Sequence, residues 1–92
     1  TRTYDLAIEN IYGEFKRRAV RITGLDNTAS RQVLAARIAE LTKSDARSID
    51  DLMYKCEDII AGEPAGKREI LEIVIRLRRL EHALGGRKRT SS

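Results

Sequence analysis

The residues of this chain that could do chemistry are few. There is one histidine, His82, and one cysteine, Cys56, in 92 residues. Neither has companions at ligand spacing, so the sequence assembles no zinc set and no histidine-based triad. Cys56 falls on the apolar side of a helical pattern, where a buried structural thiol is expected and not a nucleophile. The stretch Gly62-Glu63-Pro64-Ala65-Gly66-Lys67-Arg68 has the glycines and lysine of a phosphate loop. Only three residues separate those glycines, however, and Arg68 stands where Ser or Thr would bind Mg²⁺. What remains is charge. Lys16, Arg17, Arg18 and Arg21 form one basic group, Arg76, Arg78 and Arg79 a second, and Arg87, Lys88 and Arg89 a third. Basic side chains near a helix C-terminus are stabilised by its dipole, and the same groups grip phosphates if they converge on one surface.

The elements that must position these residues are helices. Apolar residues recur in steps of three or four at Tyr4, Ile8, Ile11, Phe15, Ala19 and Ile22, which predicts a first helix over residues 4–23 with Gly24 as its stop. Asp26, Asn27 and Thr28 offer caps for a second, over 28–42, whose buried side carries Val33, Leu34, Ile38 and Leu41. Ser48 and Asp51 match a capping box, with Ser44 or Asp45 as a cap one turn earlier, and a third helix follows over 46–61. Its apolar side is Ile49, Leu52, Met53, Cys56, Ile59 and Ile60, and Gly62 with Pro64 ends it. The fourth, over 65–84, carries Ile70, Ile73, Leu77, Leu80 and Leu84 at alternating steps of three and four, a heptad seam. Leu71, Val74 and Ile75 widen that stripe beyond what one neighbour would cover. Gly85 and Gly86 are expected to close it, leaving 87–92 as a disordered basic tail. No segment has the period-two alternation of a strand. The expected fold is an all-α, four-helix bundle-like single domain over 1–86.

Residues 38–53, Ile38-Ala39-Glu40-Leu41-Thr42-Lys43-Ser44-Asp45-Ala46-Arg47-Ser48-Ile49-Asp50-Asp51-Leu52-Met53, resemble a helix-turn-helix. Ala39 is the small residue between the helices, and Ile49 and Leu52 lock the second onto the first. Lys43 holds the turn position usual for Gly, and Ser44 the apolar position after it. The helix that would read DNA carries Asp45, Asp50, Asp51, Glu57 and Asp58 against Arg47 and Lys55, and phosphate would repel that excess. The expectation is therefore two bundle helices joined by a tight corner.

The net charge is +4, but it is segregated: residues 45–63 hold two Lys/Arg against six Asp/Glu, and residues 64–92 hold eight against three. With four aromatic residues and no Trp, stacking platforms for single-stranded nucleic acid are scarce. A single Cys in a domain this small points to an intracellular, cytoplasmic or nuclear setting, and a chain that starts at Thr1 is a processed product or a piece of something longer. The leading expectation is a protein-interaction or regulatory domain that dimerises through Ile73, Ile75, Leu77, Leu80 and Leu84, with Asp50 and Asp51 on an acidic face. The alternative is a nucleic-acid-binding accessory domain using Lys16, Arg17, Arg18, Arg21, Arg78, Arg79, Arg87, Lys88 and Arg89. A small all-α enzyme with an Arg-lined pocket for an anionic substrate is a third reading, without a placed acid, base or nucleophile. No cofactor, metal or membrane partner is expected.

Overall fold

Four helices account for the fold: α1 (Thr3–Thr23), α2 (Arg31–Thr42), α3 (Ala46–Ala61) and α4 (Lys67–Thr90). The structure, a computed structural model, describes residues 3–26 and 28–90, with Thr3 and residues 86–90 described by their backbone alone. No strand occurs among the described residues, and the chain is an all-α, four-helix bundle-like domain.

Each helix buries most of the stripe that its periodicity marks, but Tyr4, Val33 and Ile60, expected on those stripes, lie at their edges and are exposed. Ile8, Tyr12, Phe15 and Ala19 of α1 meet Leu34, Ala35, Ile38 and Ala39 of α2, together with Ile49, Leu52, Met53, Cys56 and Ile59 of α3. Ile70, Ile73, Leu77 and Leu84 of α4 complete the core, which contains no buried charged side chain among the described residues. Phe15 is wholly buried and Tyr12 nearly so, so the filling is otherwise aliphatic. Packing is uneven. α2 lies closest against α3, and α1 packs on both α4 and α3, whereas α3 and α4 barely approach one another.

The helix ends follow local chemistry, with four departures from expectation, one of them the start of α4 at Lys67 and not at Ala65. Gly24 closes α1 in the left-handed region at φ 75°, its N–H donating to Val20 O at 3.0 Å. α2 begins not at Thr28 but after Ser30, whose hydroxyl accepts from the Val33 N–H at 3.3 Å. The preceding residues are held in a turn by Ala29 N–H on Asp26 O, so the chain cannot enter the helix earlier. α3 takes the earlier of its expected caps: Asp45 accepts from the Ser48 N–H at 3.2 Å, so Ser48 lies inside the first turn and no longer heads a box with Asp51. Gly62 closes α3 at φ 120°, and α4 starts at Lys67, where Ile70 N–H donates to Gly66 O. The helix then runs on through Gly85 and Gly86 instead of ending there. Glycine in a helix costs only about 1 kcal/mol against Ala, and Gly85 does not take the left-handed conformation that would close the helix. The backbone of residues 87–90, expected as a tail, is thus helical, and Ser91 and Ser92 lie outside the described residues.

The corner between α2 and α3 is made by Lys43 at φ 55° and ψ 46°, the one described non-glycine residue with positive φ. Its N–H and that of Ser44 both return to Ala39 O, which satisfies the end of α2. A Cβ in this conformation costs roughly 1 kcal/mol. Lys43→Gly is expected to raise the free energy of unfolding by about 0.5–1 kcal/mol, and Gly62→Ala to lower it by at least a similar amount. Urea denaturation of both variants at constant m-value measures the difference.

Candidate functional site

The polar feature that ties most of the fold together is Arg31, at the first position of α2. Its Nε donates to Asp50 Oδ1 at 2.7 Å and its Nη1 to Glu57 Oε1 at 2.9 Å. Asp50 and Glu57 lie two helical turns apart on α3, so one guanidinium clamps the start of α2 along that helix. Tyr12 of α1 donates its hydroxyl to the other oxygen of Glu57 at 2.6 Å. The guanidinium also lies 5.0 Å from the centroid of the Tyr54 ring, and the Lys16 ammonium 5.7 Å from that of Tyr12, both within cation–π range. The hydrogen bonds to Asp50 and then Glu57 hold the Arg31 pKa above its ordinary value. Burial, followed by the bond to Glu57, pushes the Tyr12 phenol well up and keeps it a donor. Both oxygens of Glu57 are engaged as acceptors, so the cluster joins α1, α2 and α3. Sequence periodicity passes over Arg31 because the residue sits outside any apolar stripe. The signal available was the pair of acids seven residues apart on the polar side of α3.

This clamp uses up much of the acidic segment. Asp50, expected on a partner-binding face, is held by Arg31, as is Glu57, while Asp45 is engaged as a helix cap. Asp51 remains exposed.

Asp51 stands on the wall of a groove between α3 and α4, the two helices that do not close on each other. Two cavities lie along it. One, of about 280 Å³, is bounded by Asp51, Leu52 and Lys55 of α3 and by Glu72, Ile73 and Arg76 of α4. The next, of about 310 Å³, lies between Ser48, Ile49 and Leu52 on one side and Arg76, Arg79 and Leu80 on the other. The floor is apolar and the walls are charged. Lys55 Nζ reaches across to Glu69 Oε2 at 2.8 Å and bridges the groove at one end.

The α4 stripe is mostly core. Ile73, Leu77 and Leu84 are buried and Leu80 is half-buried, so these four have little surface to offer a second chain. Ile75, 52% exposed, points outward with Leu71, 54% exposed. Pairing those two residues across a two-fold axis would cover roughly 400 Å² in all, against about 1,200 Å² for a stable interface.

The basic residues divide into two sets. Arg17, Arg18 and Arg21 are exposed along the second half of α1, while Lys16 is half-buried over Tyr12. Arg18 Nε lies 3.9 Å from Glu81 Oε2, which sets the C-terminal halves of α1 and α4 side by side and brings Arg78, one turn before Glu81, to the same edge. Arg79 turns instead into the groove with Arg76. The side chains of Arg87, Lys88 and Arg89 lie outside the described residues. The corner of the helix-turn-helix-like segment is formed, with Ala39 buried between α2 and α3 as that resemblance requires. Arg31, Arg47 and Lys55 together offset three of the five acids Asp45, Asp50, Asp51, Glu57 and Asp58, and Lys55 is itself paired with Glu69, so α3 and its cap remain net acidic.

Cys56 is fully buried, and burial, reinforced by the charge of Glu57, pushes its thiol up to about 12. His82 is exposed on α4. Among the described residues no group of three or more His, Cys, Asp or Glu is placed to hold a metal ion, and no helix is long and apolar enough to cross a membrane. In comparisons with protein-family models, with curated proteins and with solved structures, the chain matches none.

Two measurements check this description. Tyr12→Phe keeps the ring and deletes the hydrogen bond to Glu57, with an expected loss of about 1–2 kcal/mol in chemical denaturation. Cys56 is expected to resist a thiol reagent at pH 8 in the folded domain and to react at once in denaturant. Because folding raises its pKa, its contribution to stability is intact below the ordinary value of 9.0 and is lost as pH rises toward about 12.

Proposed function

We propose that this chain is a protein-interaction domain whose docking surface is the groove between α3 and α4. The observation that supports this reading is the gap between the backbones of α3 and α4, with two cavities along it. The backbones of α3 and α4 stay farther apart than those of the other helix pairs, and the cavities between them have charged walls beside Ile49, Leu52 and Ile73, which are buried, and Leu80, which is half-buried. A groove with an apolar floor and charged rims is the shape that accepts an amphipathic helix, which fills the floor with one face and meets the rim with its flanks. The lone, buried Cys56 fits work in a reducing compartment, since a secreted domain of this size usually relies on disulfides.

The domain acts as a monomer in this reading. Self-association through the α4 stripe loses its surface once Ile73, Leu77 and Leu84 are in the core. Light scattering at micromolar concentration is expected to return a mass near 10.4 kDa. The docking surface itself is checked by titrating the ¹⁵N-labelled domain with amphipathic helical peptides and following amide shifts. Shifts confined to the facing sides of α3 and α4 are expected. Shifts spread over all four helices, or confined to α1, would remove the reading.

Nucleic-acid binding is the second reading, and one observation favours it: α1 packs beside α4 so that Arg17, Arg18, Arg21 and Arg78 share an edge with Glu81 as the acid opposite Arg18. It ranks behind because four guanidinium groups give a modest grip on a duplex. If each neutralised one phosphate, log K would fall against log salt with a slope of about −3.6. A duplex titration that shows no binding at low salt would dispose of it.

A further inference from the structure

The side of α4 that faces away from the core is basic and carries two aliphatic side chains. Among the described side chains of this helix, the exposed charged residues are Lys67, Arg68, Arg76, Arg78 and Arg79, against a single acid, Glu72. Arg76 and Glu72 stand on the wall of the groove, one of each sign. The other four cations are arranged around Leu71 and Ile75, which lie one turn apart and are exposed over about half their surface. Lys67 and Arg68 come four and three residues before Leu71, and Arg78 and Arg79 three and four residues after Ile75. At about 100° per residue, all six fall within about 60° of one line along the helix, over a length of roughly 18 Å. Arg79 stands where this stripe meets the groove. Glu72 is about 80° away from the line, on the groove side. None of the four cations has an acidic partner within 4.0 Å among the described residues.

We propose that this outer stripe of α4 seats the domain on an anionic lipid surface, with Leu71 and Ile75 in the headgroup layer and the four cations against the lipid phosphates and carboxylates around them. This is a second function, on another face, and it does not rest on the groove being a docking surface. The charge of the stripe calls for a polyanion, and its shape and apolar centre select a bilayer. Ile70, Ile73 and Leu77 on the opposite side of α4 are in the core, so a protein that binds a basic helix by enclosing it cannot surround this one. A plane needs only the exposed side. A nucleic-acid duplex would match the cations but would press Leu71 and Ile75 against charged phosphates. A second copy of the chain would set like charges face to face. Among the described residues no helix is long and apolar enough to cross a membrane, but a helix lying in the interface needs only one apolar side. Two half-exposed aliphatic side chains are a small anchor, so the cations must carry much of the binding, each contributing about fivefold near an anionic leaflet. That contribution fades with salt.

Flotation of the whole chain with phosphatidylcholine vesicles containing about 30% phosphatidylserine, at about 50 mM salt, tests this. Binding is expected, and is expected to fall at least tenfold with phosphatidylcholine alone or at about 500 mM salt. Arg78→Gln with Arg79→Gln is expected to weaken it about twentyfold. Arg17→Gln with Arg21→Gln, which removes the same charge from α1, is expected to weaken it at most about threefold. Leu71→Ala with Ile75→Ala leaves the charge intact and is expected to cost about tenfold. Circular dichroism reports whether each variant folds, and where the Ala pair does not, Ile75→Ala alone serves, with an expected loss of about threefold. No flotation with anionic vesicles at low salt overturns the proposal. So does binding that the Ala substitutions leave unchanged, or an equal loss from the two Arg pairs. A short DNA duplex that displaces the vesicles, and whose own binding survives the Ala substitutions, would assign the cations to nucleic acid and overturn it as well.

Discussion

One guanidinium decides how this small domain is arranged. Arg31 enters at the first turn of α2 and holds α3 at two positions through Asp50 and Glu57, while Glu57 in turn receives the Tyr12 hydroxyl from α1. Three helices are therefore in register around one half-buried cation, at the margin of a core that contains no charged residue. Apolar packing alone tolerates sliding, because one aliphatic contact replaces another at little cost. Charged hydrogen bonds of fixed geometry do not. The clamp so places α3 against α2 and α1. α4 packs on α1 from another side, and the space between α3 and α4 stays open.

That arrangement reassigns the charges of the chain. Six acids in residues 45–63 look like an acidic face when read in line. In three dimensions Asp50 and Glu57 are drawn in by Arg31 and Asp45 caps its own helix, so three of these acids have structural partners while the segment stays net acidic. The basic groups divide in the opposite manner. Arg76 and Arg79 line the groove, while Arg78, one residue and about 100° away, does not, and on the α1 side Arg18 meets Glu81 of α4.

Much of the fold is legible in the sequence, and for a physical reason. Helices with a buried side must repeat apolar residues every three or four positions, and glycine is the cheap way to end them, so the stripes through Phe15, Ile38, Met53 and Leu77 and the stops at Gly24 and Gly62 can be read directly. Local chemistry became ambiguous where two residues could serve the same role. Thr28 and Ser30 compete to cap α2, Asp45 and Ser48 to cap α3, and the choice depends on turns already formed upstream. The glycine pair Gly85–Gly86 misled because glycine permits a helix end without compelling one. The Arg31 clamp and the groove were hidden for a different reason: both are relations between helices, and no pattern within one helix records which neighbour it lacks. The width of the α4 stripe was visible, but width alone does not distinguish a second chain from three helices of the same domain.

We propose that the groove between α3 and α4 is the place where a partner helix is seated. A crystal structure of the domain with an amphipathic helical peptide bound tests this most directly. The peptide is expected to lie between α3 and α4, beside Leu52 and Ile73, with the Arg31 clamp unchanged. A peptide seated on the α1–α4 edge, or on the outer side of α4 over Leu71 and Ile75, would contradict it.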